Sequence, residues 1–153
     1  MAENSWGGEY VIITNDITVV YKEEHNSLID YKFYCFHGEP KFLYISSSEL
    51  TKDGKNDCIK YLDLNWNPTP FQRMDHPQLT KAIERPAGFE KMIELSRSLS
   101  NDIPFLRTDF YFINNRVYFS ELTFYPGSGF SKFSPDEWER KIGEWIQLPI
   151  KHK

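Results

Sequence analysis

"RTDFYFINNRVYFSELTFYPGSGF", residues 107–130, decides how this chain is read. Two runs dominated by Phe, Tyr, Val and Leu flank Asn114-Asn115, the pattern of an antiparallel hairpin. Each run nevertheless keeps one carboxylate, Asp109 and Glu121, with Arg107 just before the first and a Gly/Ser loop just after the second. Side chains alternate faces along a strand, so Arg107 and Asp109 share a side, as do Glu121 and Thr123.

Whether those sides coincide depends on the parity of the pairing. A two-residue turn at Asn114-Asn115 pairs Ile113 with Arg116 and sends the two carboxylates to opposite faces, while gathering Phe110, Phe112, Val117 and Phe119 on one face. A three-residue turn through Arg116, or an equivalent bulge, sets Asp109 opposite Glu121 and Arg107 opposite Thr123. We expect this second register, because only it supplies a shared site. Like charges opposed across strands are destabilising unless something compensates them. A divalent cation would compensate, and Mg²⁺ prefers one or two carboxylates plus phosphate oxygens and water. On that reading, changing either carboxylate to its amide leaves the stability of the metal-free protein unchanged or raised. The alternative is that Asp109 and Glu121 pair with Arg107 or Arg116 on a solvated sheet face. The loop "YPGSGF", 125–130, places Pro and two glycines where backbone amides can approach an anion, or else makes a tight connection into the next helix.

At 153 residues the chain has the size of one domain, taken as residues 1–153. A net charge of -4, a pI near 5.6 and the absence of any Lys/Arg block argue against nucleic acid held by its phosphate backbone. Cys35 lies in an apolar run and Cys58 in a polar loop, at no metal or redox spacing, which reads as free thiols in a reducing compartment. "MAENSWGGEY" lacks the basic start and apolar core of a signal peptide, and no apolar run approaches the roughly 18 residues of a membrane span. A cytoplasmic protein with no membrane span is expected.

"EYVIITNDITVVY", 9–21, suggests a hairpin around Asn15-Asp16, and "DYKFYCFHGEPKFLYIS", 30–46, a second pair broken at His37-Gly38-Glu39-Pro40. The polar stretch "DLNWNPTPFQRMDHP", 63–77, reads as an ordered loop. Phe89, Met92, Ile93, Ser96 and Leu99 recur at helical spacing from about Ala87 to Ser100. "SPDEW", 134–138, opens a last helix with Ser134 as N-cap, Pro135 at the first helical position and Glu137 completing a capping box. Trp138, Ile142, Trp145 and Ile146 form its expected buried face. The sum is an α+β fold, a mostly antiparallel sheet with helices packed on one face.

Arg-x-Asp-Phe at 107–110, a short turn, and Glu-x-Thr-x-x-Pro-Gly at 121–127 together resemble the C-terminal metal-binding segment of ATP-grasp enzymes. With "DYKFYCFHGEPKF" (30–42), "DLNW" (63–66) and "ELTFYPGSGFSKFSPDEW" (121–138), the chain from about Asp30 to Pro149 resembles the TupA-like branch of that superfamily, linked to teichuronopeptide and other cell-surface polysaccharide synthesis. The resemblance implies the C-terminal lobe of an ATP-grasp fold and a two-step ligation with ATP and Mg²⁺. ATP phosphorylates a carboxylate, and an amine then displaces the phosphate from the acyl phosphate. It implies Asp109, Glu121 and Thr123 as metal ligands, Thr123 standing where many relatives have Asn. It assigns Arg107 to the transferred phosphoryl group, as the catalytic residue. Gly127, Ser128 and Gly129 would hold the acceptor or its acyl phosphate, the acceptor being a small molecule, saccharide or peptide. Lys32 resembles a basic strand residue that reaches nucleotide phosphate, and Gly7 and Gly8 in "NSWGGEYVII" resemble the phosphate-loop amide donors. Read without the resemblance, Lys32 is a surface lysine alternating with Phe33, and Gly7-Gly8 an ordinary turn.

Almost nothing precedes "SWGG", and the interval from Asn15 to Asp30 is too short for the helices usual in this superfamily. A shortened or N-terminally truncated member is therefore expected. Either the protein is an ATP-dependent ligase, or the Mg²⁺-bearing half of one whose ATP cleft a second chain completes, or it is a non-catalytic remnant that binds a saccharide, a peptide or a partner. His25, His37, His76 and His152 show no ligand spacing and read as solvated residues, whereas Trp66 sits among polar residues that could line an acceptor site.

Overall fold

The computed structural model describes residues 28–47 and 58–149. The hairpin expected at 9–21, Gly7 and Gly8, His25 and His152 lie outside the described residues. Among the described residues seven strands and two α-helices follow one another: β1 Ile29–Phe36, β2 Glu39–Ser47, β3 Cys58–Asp63, β4 Gln72–Arg73, α1 Phe89–Ser100, β5 Phe105–Ile113, β6 Arg116–Thr123, β7 Phe133–Ser134 and α2 Asp136–Glu144. Five strands form an antiparallel sheet in the order β3-β2-β1-β5-β6, and β4 pairs with β7 in a small second sheet. This is the expected α+β architecture with a mostly antiparallel sheet.

Local chemistry accounts for the two long hairpins. His37 and Gly38 turn β1 into β2 with φ of 50° and 82°, the positive pair that a two-residue primed turn requires. Tyr34 faces Phe42 while Cys35 faces Pro40, so Lys41 is the extra residue of a bulge. A proline without an N–H is accommodated at such an irregularity. Glu39 and Pro40, read from the sequence as part of the break, belong to β2.

Strand alternation gives the sheet two chemically different faces. On one, Tyr31, Phe33, Cys35, Leu43, Ile45, Leu62 and Phe110 pack against Phe89, Met92, Ile93 and Leu95 of α1. Ser96 and Ser100 replace larger residues on that helix face, and the Ser96 hydroxyl lies 2.7 Å from that of Thr108 on β5. On the other, Tyr34, Phe36, Phe42, Tyr44, Ile59 and Tyr61 pack with Phe71 and Ile142, joined by Phe133, Trp138 and Trp145. The two helices therefore divide between the faces, α1 on the first and α2 on the second.

Four details differ from the sequence reading. Cys58 opens β3 and is buried, because its strand carries it into the α1-side core. The residue before α2 is Pro135, in extended backbone with no side-chain cap; Glu139 instead accepts from the backbone N–H of Phe133 at 3.2 Å. Of the expected faces of the helices, Leu99 and Ile146 are exposed. Trp66, expected at an acceptor site, is half-buried against the α1-side core: its Nε1 donates to the Ile83 carbonyl at 2.9 Å and its ring lies 5.1 Å from that of Phe89. No helix among the described residues is long and apolar enough to cross a membrane.

At the start of α1 the backbone of Gly88 presses on the β5–β6 hairpin. A Cβ there would fall 2.6 Å from Phe112 Cε2 and 2.7 Å from Val117 Cγ2. Gly88→Ala is expected to destabilise the protein by about 1–3 kcal/mol, the range for overpacking. Chemical denaturation measures this, and an unchanged midpoint would contradict the close helix–hairpin contact.

Candidate functional site

The parity question is settled by a bulge. Asn114 and Asn115 have φ of 49° and 62° and form a two-residue turn, so Ile113 pairs with Arg116, Phe112 with Val117 and Phe110 with Phe119. The register then shifts between Phe110 and Asp109, leaving Ser120 as the extra residue, and Asp109 faces Glu121 while Arg107 faces Thr123. The turn keeps Phe110 and Phe119 on the α1 side, with ring centroids 6.4 Å apart, and the bulge turns both carboxylates to the other face. The opposed register was expected, and the bulge rather than a three-residue turn delivers it.

β1 completes the arrangement. Lys32 pairs with Asp109 and Tyr34 with Arg107, so one row across three strands reads Lys32, Asp109, Glu121 and the next reads Tyr34, Arg107, Thr123. Asp109 is fully buried. Arg107 donates from Nε to Asp109 Oδ1 at 2.8 Å and from Nη2 to Oδ2 at 2.6 Å, and Lys32 Nζ donates to Oδ2 at 2.7 Å. The same Arg107 Nη2 donates to Glu121 Oε1 at 2.7 Å, and the Thr123 hydroxyl donates to that oxygen at 2.7 Å. Lys32 also meets Asp30 Oδ2 at 2.5 Å. Two cations thus hold three carboxylates, and Arg107, not Arg116, is the partner of both Asp109 and Glu121.

Environment separates the acids. Burial pushes the Asp30 carboxyl up to about 6, against the nearby Lys32 ammonium, and its Oδ1 is buried without a hydrogen-bond partner. Glu121 is held below the usual glutamate range, first by the Thr123 hydroxyl and then, against partial burial, by the charges of Lys32 and Arg107. Burial works against the charge of Lys32, but Asp30 and Asp109 outweigh it and keep its pKa above the ordinary lysine value. Because its folded pKa is raised, Asp30 contributes stability that is full below 3.8 and is lost as pH rises through about 6. Glu121 has the opposite sign: its contribution is present above its unfolded pKa and fades as pH falls. A carboxyl-detected NMR titration should place the Asp30 midpoint near 6. A midpoint in the ordinary aspartate range would contradict its burial.

The remaining sequence candidates fall apart from this row. Gly127, Ser128 and Gly129 follow each other with φ of 58°, 55° and 78° in an exposed turn closed by Ser128 N to Tyr125 O and Phe130 N to Gly127 O, both 3.0 Å. A Cβ on Gly127 would stand 1.9 Å from Ser131 Oγ and 3.9 Å from Arg73 Nη2, so this loop lies against Arg73. Among the described residues no hydrogen bond joins it to Arg107. Sequence reasoning missed Asp30, although it shares the alternation of Lys32, and Arg73, which no local pattern marks. His37 Nε2 accepts from the Gln147 backbone N–H at 3.0 Å, a structural contact between the β1–β2 turn and the C-terminal segment.

The donor set bears on Mg²⁺ directly. Among the described residues no group of three His, Cys, Asp or Glu side chains is placed to hold a metal. Both oxygens of Asp109 already accept from Arg107 or Lys32, whereas the Glu121 side chain is 56% exposed. An ion that takes one or two protein carboxylates and completes its shell with phosphate and water fits at Glu121 beside Thr123, with Asp109 joining once Arg107 yields.

The sequence matches the family model described as TupA-like ATPgrasp over residues 3–147. Comparison with curated proteins and with solved structures gave no match.

Proposed function

Because the chain belongs to the TupA-like ATP-grasp family, we propose that it takes part in ATP-dependent joining of a carboxylate to an amine, in cell-surface polysaccharide synthesis. The observation that carries this is the cross-strand row Lys32, Asp109, Glu121 with Arg107 bridging both acids. In the proposed reaction a substrate carboxylate oxygen takes the γ-phosphoryl group of ATP, releasing ADP. An amine then attacks the acyl carbon, loses a proton and expels phosphate.

Glu121, Asp109 and Thr123 would hold Mg²⁺, which supplies charge neutralisation of the ATP phosphates when bound. The chain's own cations do the rest. Arg107 lies between Asp109 and Glu121, and its guanidinium, released from Asp109, would meet the charge that develops on the phosphoryl group. Lys32, kept charged by two carboxylates, supplies a second fixed cation in the adjacent strand position for a nucleotide phosphate. Gly127, Ser128 and Gly129 would hold the acceptor, a small molecule, saccharide or peptide, and Gly7 and Gly8 the nucleotide. We take residues 1–153 as one cytoplasmic domain, with a second chain completing the cleft around ATP.

A single experiment tests the reaction. With ATP, Mg²⁺, a panel of carboxylates and hydroxylamine as the amine, ADP should form only with a matching carboxylate, and a hydroxamate should accumulate with it. ADP and free phosphate formed equally without any carboxylate would overturn the ligation. One observation favours a second reading, a non-catalytic remnant that binds a saccharide, peptide or partner: the oxygens of Asp109 are already taken by Arg107 and Lys32.

A further inference from the structure

Arg73 is a second buried guanidinium, and the proposed ligation leaves it unused. The β4–β7 pairing sets it opposite Phe133, whose ring lies 6.1 Å from that of Tyr34 and 5.7 Å from that of Tyr61. Arg73 therefore belongs to the same sheet face as Arg107, farther toward β3. Its side chain is only 8% exposed, yet its one carboxylate partner among the described residues, Asp75, is 49% exposed and lies two residues on in an irregular segment. Arg73 Nε donates to Asp75 Oδ1 at 3.0 Å, and Nη2 donates to Oδ2, so Asp75 occupies both prongs of the guanidinium fork.

Two further features converge there. A Cβ on Gly127 would strike Ser131 Oγ at 1.9 Å while standing 3.9 Å from Arg73 Nη2, which sets a glycine turn and a serine hydroxyl beside the guanidinium. In the same aromatic cluster the buried hydroxyls of Tyr61 and Tyr34 lie beside each other and next to Arg73. Burial holds the Tyr61 hydroxyl protonated, against the nearby Arg73 charge, so it remains a donor rather than a competing anion.

We propose that Arg73 anchors a carboxylate or phosphate group of the substrate, Asp75 filling its fork until that oxyanion displaces it. The inference rests on the reading that Gly127, Ser128 and Gly129 face the acceptor, and it adds the charge that selects one. Asp75 is suited to leave, because a half-exposed carboxylate returns to water at small cost. Asp109 is not, because it is sealed under Arg107 and Lys32. An incoming planar carboxylate regains the bidentate geometry that a guanidinium fork favours.

The test uses the full chain without ATP or Mg²⁺, following the backbone amide resonance of Gly127, which lies against Arg73 and persists in every variant, while inorganic phosphate or acetate is added at constant ionic strength. A saturable shift is expected, at least tenfold tighter in Asp75→Asn and at least tenfold weaker in Arg73→Lys, which keeps the charge and loses the fork. Thermal midpoints check that both variants are folded. Tighter binding of acetate identifies a substrate carboxylate as the occupant, and tighter binding of phosphate a phosphoryl group. An equal response to chloride, or an affinity unchanged in Asp75→Asn, overturns the proposal. Loss of the hydroxamate reaction with the Gly127 response intact would instead count against the ligase reading alone.

Discussion

Asp109→Asn should destabilise the protein by about 3 kcal/mol, the low end of the cost of breaking a buried ion pair. The carboxylate is fully buried and takes three charge-assisted hydrogen bonds, two from Arg107 and one from Lys32. An amide keeps one acceptor oxygen but removes the charge, leaving two poorly solvated cations beside a group that also presents N–H donors. Loss is limited because Lys32 retains Asp30 and Arg107 retains Glu121. Urea unfolding measures the change. The sequence reading, in which two unscreened carboxylates repel, expects the opposite sign, and the structure reverses it by placing Arg107 between them. A midpoint that stays constant or rises would show that repulsion between Asp109 and Glu121 still dominates.

How far the sequence carries can be judged at particular residues. The β5–β6 hairpin was legible because Asn114-Asn115 and the aromatic alternation both speak locally. The bulge at Ser120 was legible only as a conflict: the hydrophobic pattern demanded one register and the carboxylates the other, and one extra residue satisfies both. Sheet order is a different matter. That β1 lies between β2 and β5, and so brings Lys32 to Asp109, depends on pairing across 77 positions that no local pattern encodes. Trp66 misled because its polar neighbours in sequence, Asn65 and Asn67, turn their backbone N–H groups to Asp63 while its ring packs against the core. The last helix misled by one residue, since "SPDEW" reads as a capping box on Ser134, whereas Ser134 pairs with Gln72 in the small sheet and Pro135, which offers no capping side chain, precedes the first turn.

Glu121→Gln should have the contrasting profile. Its side chain is more than half exposed, so losing its ion pair with Arg107 should change stability by no more than about 1 kcal/mol. Its effect on Mg²⁺-dependent nucleotide binding should be roughly 100-fold or more, because it removes the one carboxylate that faces solvent beside Thr123. The two substitutions thus separate scaffold from site: Asp109→Asn is read in unfolding and Glu121→Gln in binding. A Glu121→Gln protein that binds ATP and Mg²⁺ as the parent does would move the cation away from this row.

The most direct measurement is a calorimetric titration of the parent chain with ATP, with and without Mg²⁺. Heat should appear only with the divalent cation. No Mg²⁺-dependent heat at millimolar ATP would contradict a nucleotide site on the Lys32, Asp109, Glu121 row, and these charges would then be an ion-pair network that holds three strands together.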